Sequence, residues 1–222
     1  MVTTSVGARR VHDVTSTIGY EKRIGIRDQL EVSIPFSVMH EPSGTAIGGI
    51  GDIGIGLKHV LFSGTGSILS AQGEVIAPTG NRDKALGSGV TVFEGFAAFG
   101  QRLPHQSFIL GQAGTEQPTD TAGTPRAAFG RVAIGKMLRA DQGLGRMLTP
   151  MLELLANRDF EKAAGTNLDL VPQIQVTLSR RQHVRASVGV QVPVNHTAGR
   201  PVQVAFYLLW DWFDGGLFEG WK

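Results

Sequence analysis

The sequence predicts an all-β fold, a transmembrane up-and-down antiparallel β-barrel of about twelve strands, from three observations. Apolar and polar residues alternate with period two along most of the chain, which is the side-chain period of a β-strand. Several alternating segments run well beyond the roughly five or six residues of an ordinary soluble strand. Short and long connections alternate between these segments, as they do in outer-membrane barrels.

The clearest alternating segment is 50–62, which reads Ile-Gly-Asp-Ile-Gly-Ile-Gly-Leu-Lys-His-Val-Leu-Phe. Its length suits a tilted strand that crosses a bilayer. One of its faces is apolar, and the other carries charge and bare backbone. The first face holds Ile53, Ile55, Leu57 and Leu61, and the second holds Asp52, Gly54, Gly56 and Lys58.

The same alternation defines eleven strands in all. The segment 146–156 has helix propensity, but Pro150 in its middle and the parity of its leucines favour a strand. Bacterial barrels of this class have even strand counts, so we expect residues 1–10 to supply part of a twelfth strand. The alternative is a count of ten, without 106–114. The eleven predicted strands are 14–23, 30–38, 50–62, 67–77, 89–100, 106–114, 127–138, 146–156, 168–179, 184–192 and 202–210.

The long connections hold most of the Pro, Asn and Thr residues that favour turns. Outer-membrane barrels have long extracellular loops and short periplasmic turns. We therefore expect turns such as 63–66 and 180–182 to be periplasmic. The segments predicted to be extracellular are 39–49, 78–88, 115–126, 157–167 and 194–200.

Alternation alone does not decide which face points outward, because a soluble barrel alternates as well. Strand length, strand number and the rhythm of the loops favour the membrane arrangement, with the apolar face on lipid. The residues predicted to face lipid include Val32, Ile34, Ile55, Leu57, Ile174, Val176, Val188 and Val190. The polar residues predicted to line the lumen are Glu31, Asp52, Lys58, Glu74, Glu94, Arg131, Glu153, Gln173, Gln175, Arg185 and Gln191.

Composition fits one domain over residues 1–222, because no Pro-rich or Ser-rich linker divides the chain. Charged residues make up 18%, and the net charge of +2 gives no indication of a nucleic-acid partner. The absence of cysteine excludes disulfides, thiolate metal sites and cysteine nucleophiles. No apolar run approaches the length of a transmembrane helix.

The first ten residues contain no apolar core of a signal peptide. For a protein of the outer membrane of a Gram-negative bacterium, we expect the natural gene to begin upstream with such a leader. The lipid bilayer is then the main partner.

Motifs for enzymatic chemistry are weak. Gly49-x-Gly51-x-x-Gly54 matches the dinucleotide fingerprint, but a loop precedes it and strand alternation follows, where the fingerprint needs a strand and a helix. No Gly-x-Ser-x-Gly elbow occurs. We therefore predict that the chain is not an enzyme and holds no metal or cofactor. The histidines lack metal-ligand spacing and lie mostly at strand ends or in loops: His12, His40, His59, His105, His183 and His196.

Three stretches carry a family resemblance: Gly51-Asp-Ile-Gly-Ile-Gly-Leu-Lys58, Glu74-Val-Ile-Ala-Pro-Thr-Gly80 and Ile24–Pro35. They resemble the bacterial outer-membrane barrels assigned as transporters of the MetA pathway of phenol degradation. The resemblance covers most of the chain and implies a channel or transporter for small solutes, including hydrophobic or aromatic ones. Related barrels also sheathe multihaem cytochromes. The aromatic segment 206–213 resembles the closing strand read by the bacterial barrel-assembly machinery.

Two functions of different classes follow. The first is a pore or transporter for small solutes. The alternative is a structural barrel that houses or docks a periplasmic or lumenal protein, such as a multihaem cytochrome, without conductance of its own.

The assignment of faces predicts opposite outcomes for two neighbouring substitutions. An arginine at the bilayer midplane on a lipid face costs about 2–4 kcal/mol, so Val188→Arg should impair assembly into the outer membrane. Ser187→Arg, one position away on the other face, should be tolerated. Heat-modifiable migration of membrane-extracted protein measures assembly. Equal effects of the two substitutions would refute the parity.

Overall fold

A computed structural model describes residues 2–6, 12–40, 44–139, 147–162, 164–179 and 183–211. Nearly all of the regular structure in these ranges is β-strand, and one short 3-10 turn occurs at Arg82–Lys84. None of the helical structure in the described ranges could cross a membrane. The strands are β1 (Val2–Val6), β2 (His12–Ile24), β3 (Asp28–His40), β4 (Ala46–Ile50), β5 (Ile53–Ser63), β6 (Ser67–Ala77), β7 (Val92–Arg102), β8 (Ser107–Pro118), β9 (Ala127–Lys136), β10 (Leu138–Arg139), β11 (Met147–Asp159), β12 (Asn167–Thr177), β13 (Val184–Pro193) and β14 (Val202–Trp210).

All fourteen strands belong to one antiparallel sheet. β4 continues the line of β5 along β3, and β10 continues the line of β9 along β11. The sheet therefore has twelve strand positions, and most neighbours in the sheet are neighbours in the chain. The predicted all-β antiparallel architecture with twelve strands is confirmed.

The strand expected within residues 1–10 is β1, whose backbone lies between β14 and β2. Thr4 pairs with Val204 on one side and with Val14 on the other. Elsewhere in the same sheet, β9 pairs with β8 on one side and with β11 on the other. The alternative count of ten is wrong, because residues 107–114 of the predicted strand 106–114 lie within β8.

The predicted strand 50–62 is corrected at its beginning. Ile50 belongs to β4, and β5 begins at Ile53. The register against β3 slips by one residue between the two, since Phe36 pairs with Ile50 but Ser33 pairs with Gly54. Such a slip is a β-bulge. A second irregularity lies between Val60 and Phe62.

Several strands are longer than the sequence predicted. The expected loop 39–49 contains the end of β3 and most of β4. The sequence predicts a loop there because the glycines in 44–51 are typical of loops. Residues 115–118 extend β8, and 157–159 extend β11. The predicted turn 180–182 and the aromatic residues Trp212 and Phe213 lie outside the described residues.

The distribution of exposure across the sheet is inverted relative to a soluble protein. Large apolar side chains are exposed, including Ile55 at 54%, Leu57 at 51% and Val188 at 44%. The buried apolar residues are few, mostly small, and scattered over several elements: Leu86, Val92, Ala127, Ala133 and Val171. Side chains on the opposite face are mostly half-buried and polar. The eight residues predicted to face lipid all share the exposed apolar face.

The position of β1 between two strands predicts the effect of a proline there. Thr4→Pro removes a backbone N–H from a strand that is paired on both sides. The lost hydrogen bond should lower the free energy of unfolding by about 1–3 kcal/mol, measured by urea unfolding in lipid vesicles.

Thr65→Pro, in the exposed turn between β5 and β6, is the control and should change stability little. Equal stability of the two variants would show that β1 contributes no pairing.

Candidate functional site

The face opposite the exposed apolar side chains carries a hydrogen-bonded polar network across β3, β5 and β6. Gln72 donates from Nε2 to Glu31 Oε2 at 3.1 Å and to Glu74 Oε2 at 3.5 Å. Ser33 Oγ donates to Glu74 Oε1 at 3.2 Å. Lys58 Nζ lies 3.7 Å from Glu31 Oε2. One lysine thus partners one of two neighbouring carboxylates.

Two glycines of β5 provide the space for this network. A Cβ at Gly54 would collide with the Glu74 carboxylate and the Ser33 hydroxyl. A Cβ at Gly56 would lie 2.9 Å from Gln72 Nε2. The long side chains of β6 therefore lie over the bare backbone of β5. This is the structural role of the glycine-rich face that the sequence indicated.

A further polar cluster lies on β11, β12 and β13. Gln173 Nε2 donates to Glu153 Oε2 at 3.0 Å. Asp169, only 6% exposed, accepts from Gln191 Nε2 at 2.9 Å and forms an ion pair with Arg200. Gln175 pairs with Thr149 and Ser187 in the backbone register, and Arg185 pairs with Thr177. The strand residues among them all lie on the polar face.

An aromatic patch interrupts the polar face at β7 and β9. The rings of Phe96 and Phe129 meet edge to face with centroids 6.2 Å apart, and the Arg131 guanidinium lies 5.9 Å from the centre of the Phe129 ring. Gly114 lies between the two strands, where a Cβ would meet Phe96 Cβ at 2.5 Å. Phe96 blurred the alternation of the sequence because it occupies the polar face.

Ten of the eleven predicted lumen residues lie within strands on this face, and Asp52 does not. Asp52 lies in the connection between β4 and β5 and accepts hydrogen bonds from the 78–91 connection. Its Oδ1 accepts from the Gly80 N–H at 2.9 Å, and its Oδ2 accepts from the Ser88 N–H and hydroxyl, both at 2.7 Å. Its role in the structure is to hold that connection against the end of the sheet.

One row of paired residues concentrates acidic side chains on the polar face. Each residue of the row is the register partner of the next, across β2, β3, β5, β6, β7, β8, β9 and β11. Two small residues are its only uncharged members. The row reads Glu21, Glu31, Gly56, Glu74, Glu94, Glu116, Ala127 and Asp159.

Sequence reasoning did not include Glu21, Glu116 and Asp159 among the site residues. The last two fell in predicted loops because β8 and β11 extend further than the alternation indicated. Glu21 lay in a predicted strand on the polar parity, but only the register connects it to the others. Strand parity was the available signal, and the row itself could be found only from pairing.

The chain matches no protein-family model and no curated protein sequence. The geometry therefore carries the functional argument. Within the described ranges, no three His, Asp or Glu side chains are grouped as ligands for a metal ion. The polar face offers carboxylates, amides and a few cationic groups spread over a long surface. Such a surface can line a path for water and small solutes.

The space above Gly54 predicts the effect of a single methyl group. Gly54→Ala should displace the Glu74 carboxylate from Ser33 and lower the free energy of unfolding by about 1–3 kcal/mol. Urea unfolding in lipid vesicles measures the change.

Gly73→Ala is the matched control, because Gly73 lies on the apolar face of β6, where an added Cβ would have nothing within 4 Å. It should change stability by less than about 0.5 kcal/mol. Comparable losses in both variants would contradict a specific role for the space at Gly54.

Proposed function

We propose that the protein is an outer-membrane β-barrel channel or transporter for small solutes, with its polar face lining the lumen. The inverted exposure of the strands is the observation that carries this proposal. A soluble protein rarely exposes a contiguous apolar patch beyond a few hundred Å². Here apolar side chains are exposed on strand after strand, and a hydrocarbon environment removes them from water.

Strand pairing supports a barrel in that environment, because open sheet edges do not survive in hydrocarbon. The β14–β1 and β9–β11 pairings give each of the twelve strand positions a neighbour on both sides. When register partners are followed through all twelve strand positions, the path returns to β1 displaced by about 14 residues, which is the shear of the sheet. This shear corresponds to a strand tilt of about 40°. Membrane barrels have tilts of about 35–45°.

Size limits the class of solute. A ring of twelve strands at this tilt has a backbone radius of about 12 Å, narrower than the 16- to 18-stranded porins. Side chains on the polar face reduce the passage further, so it admits small molecules. The resemblance to transporters of phenol degradation extends the proposal to small hydrophobic or aromatic solutes. The Phe96 and Phe129 rings offer such a solute an apolar contact.

Single-channel recording of the refolded protein in a planar bilayer tests the proposal. Discrete conductance steps are expected. A correctly assembled protein without conductance would overturn the channel and favour the alternative, a structural barrel that houses or docks a protein such as a multihaem cytochrome.

The proposal also predicts the topology of the connections. A peptide tag inserted after Thr121, in the connection between β8 and β9, should bind antibody on intact cells. A tag after Thr65, in the turn between β5 and β6, should bind antibody only after the outer membrane is opened. Flow cytometry measures both, and the reverse result would invert the barrel in the membrane.

A further inference from the structure

The acidic row described above extends from one end of the sheet to the other. Glu21 and Glu31 lie near the turn at 25–27, where β2 ends and β3 begins. Glu116 and Asp159 lie at the opposite ends, beside the 119–126 and 160–166 connections. A row of register partners crosses the strands, and tilted strands make it climb along the axis. The row therefore connects the two mouths of the proposed lumen.

The middle of the row brings like charges together. Glu74, Glu94 and Glu116 are direct register partners on adjacent strands, an arrangement that destabilises a sheet. None of the three forms an ion pair with another side chain in the described part of the chain. Their negative charge is therefore left without a cationic side chain in direct contact.

Basic side chains on the polar face of the strands are fewer than acidic ones. Among the residues whose side chains the structure describes, the basic set is Arg23, Lys58, Arg102, Arg131 and Arg185. The acidic set is Asp13, Glu21, Glu31, Glu74, Glu94, Glu116, Glu153, Asp159 and Asp169. The face as a whole carries excess negative charge.

A buried acceptor beside the row is an independent indication of a cationic ligand. Gln72 is only 5% exposed, and its Nε2 is committed to Glu31 and Glu74. Its Oε1 is buried and has no hydrogen-bond donor. A buried acceptor without a donor costs about 1–3 kcal/mol. A cation or a water of its hydration shell, held among the carboxylates, would satisfy this oxygen.

We propose that the lumen selects for small cations, which pass along the acidic row. This inference rests on the proposed channel function and names its substrate class. Rings of Asp and Glu give cation channels their selectivity, and a path lined by one sign of charge raises the local concentration of counter-ions. The carboxylates are spread along the path, so a cation moves between neighbouring sites and is not held in one.

Reversal potentials in a planar bilayer test this with K⁺ and Cl⁻ as probes. Under a tenfold KCl gradient near 0.1 M, the permeability for K⁺ should exceed that for Cl⁻ by about threefold or more. Selectivity should fall at 1 M KCl, where the Debye length shrinks from about 10 Å to about 3 Å.

Neutral variants assign the effect to the row. Glu94→Gln combined with Glu116→Gln keeps side-chain size and should move the permeability ratio at least halfway toward unity. Lys58→Gln should raise the ratio, because it removes a positive charge from the same face. Asp83→Asn, in the exposed 3-10 turn, removes one negative charge away from the row and should leave the permeability ratio unchanged.

The outcomes separate this inference from the channel itself. Conductance with a K⁺-to-Cl⁻ permeability ratio of one or below would overturn cation selectivity and leave the proposed channel intact. Equal shifts in Asp83→Asn and in the row variant would also overturn it, by assigning selectivity to overall charge. Absence of conductance would overturn the channel and this inference together.

Discussion

Backbone pairing between neighbouring strands is the constraint on which the other features of this molecule depend. Each long strand exchanges hydrogen bonds with a strand on either side, and β1 contributes this pairing with only five residues. Once the register is fixed, side-chain parity follows, because a slip of one residue would exchange the two faces. The exposed apolar face and the half-buried polar face are thus two consequences of one set of hydrogen bonds.

The polar face is crowded, and glycine relieves the crowding. Gly54 and Gly56 leave room for Glu74 and Gln72 to lie across β5, and Gly114 does the same for the rings of Phe96 and Phe129. Glycine costs strand stability, by about 0.5–1 kcal/mol relative to alanine. That cost is offset where long side chains fill the space with hydrogen bonds or ring contacts. These three glycines therefore reflect the packing of the polar face.

Adjacent carboxylates on this face have a cost as well. Like charges on paired residues destabilise a sheet by up to about 1 kcal/mol, and the row places three of them side by side. Fold stability alone gives no reason for such an arrangement, whereas a cation path does. Other stabilising contacts lie elsewhere on the same face, in the Gln173–Glu153 and Gln191–Asp169 hydrogen bonds. One face of the sheet thus combines stabilising pairs with the proposed conduction path.

The sequence by itself determined the strand order and the parity of most strands, because a period of two is legible from residues alone. It missed β4, the ends of β8 and β11, and the true role of Asp52, because glycine-rich strands resemble loops and a carboxylate between strands resembles one within a strand. Only the tertiary structure brought Glu21, Glu74, Glu94, Glu116 and Asp159 into one row. These residues are far apart in the chain, and the register of seven separate pairings aligns them.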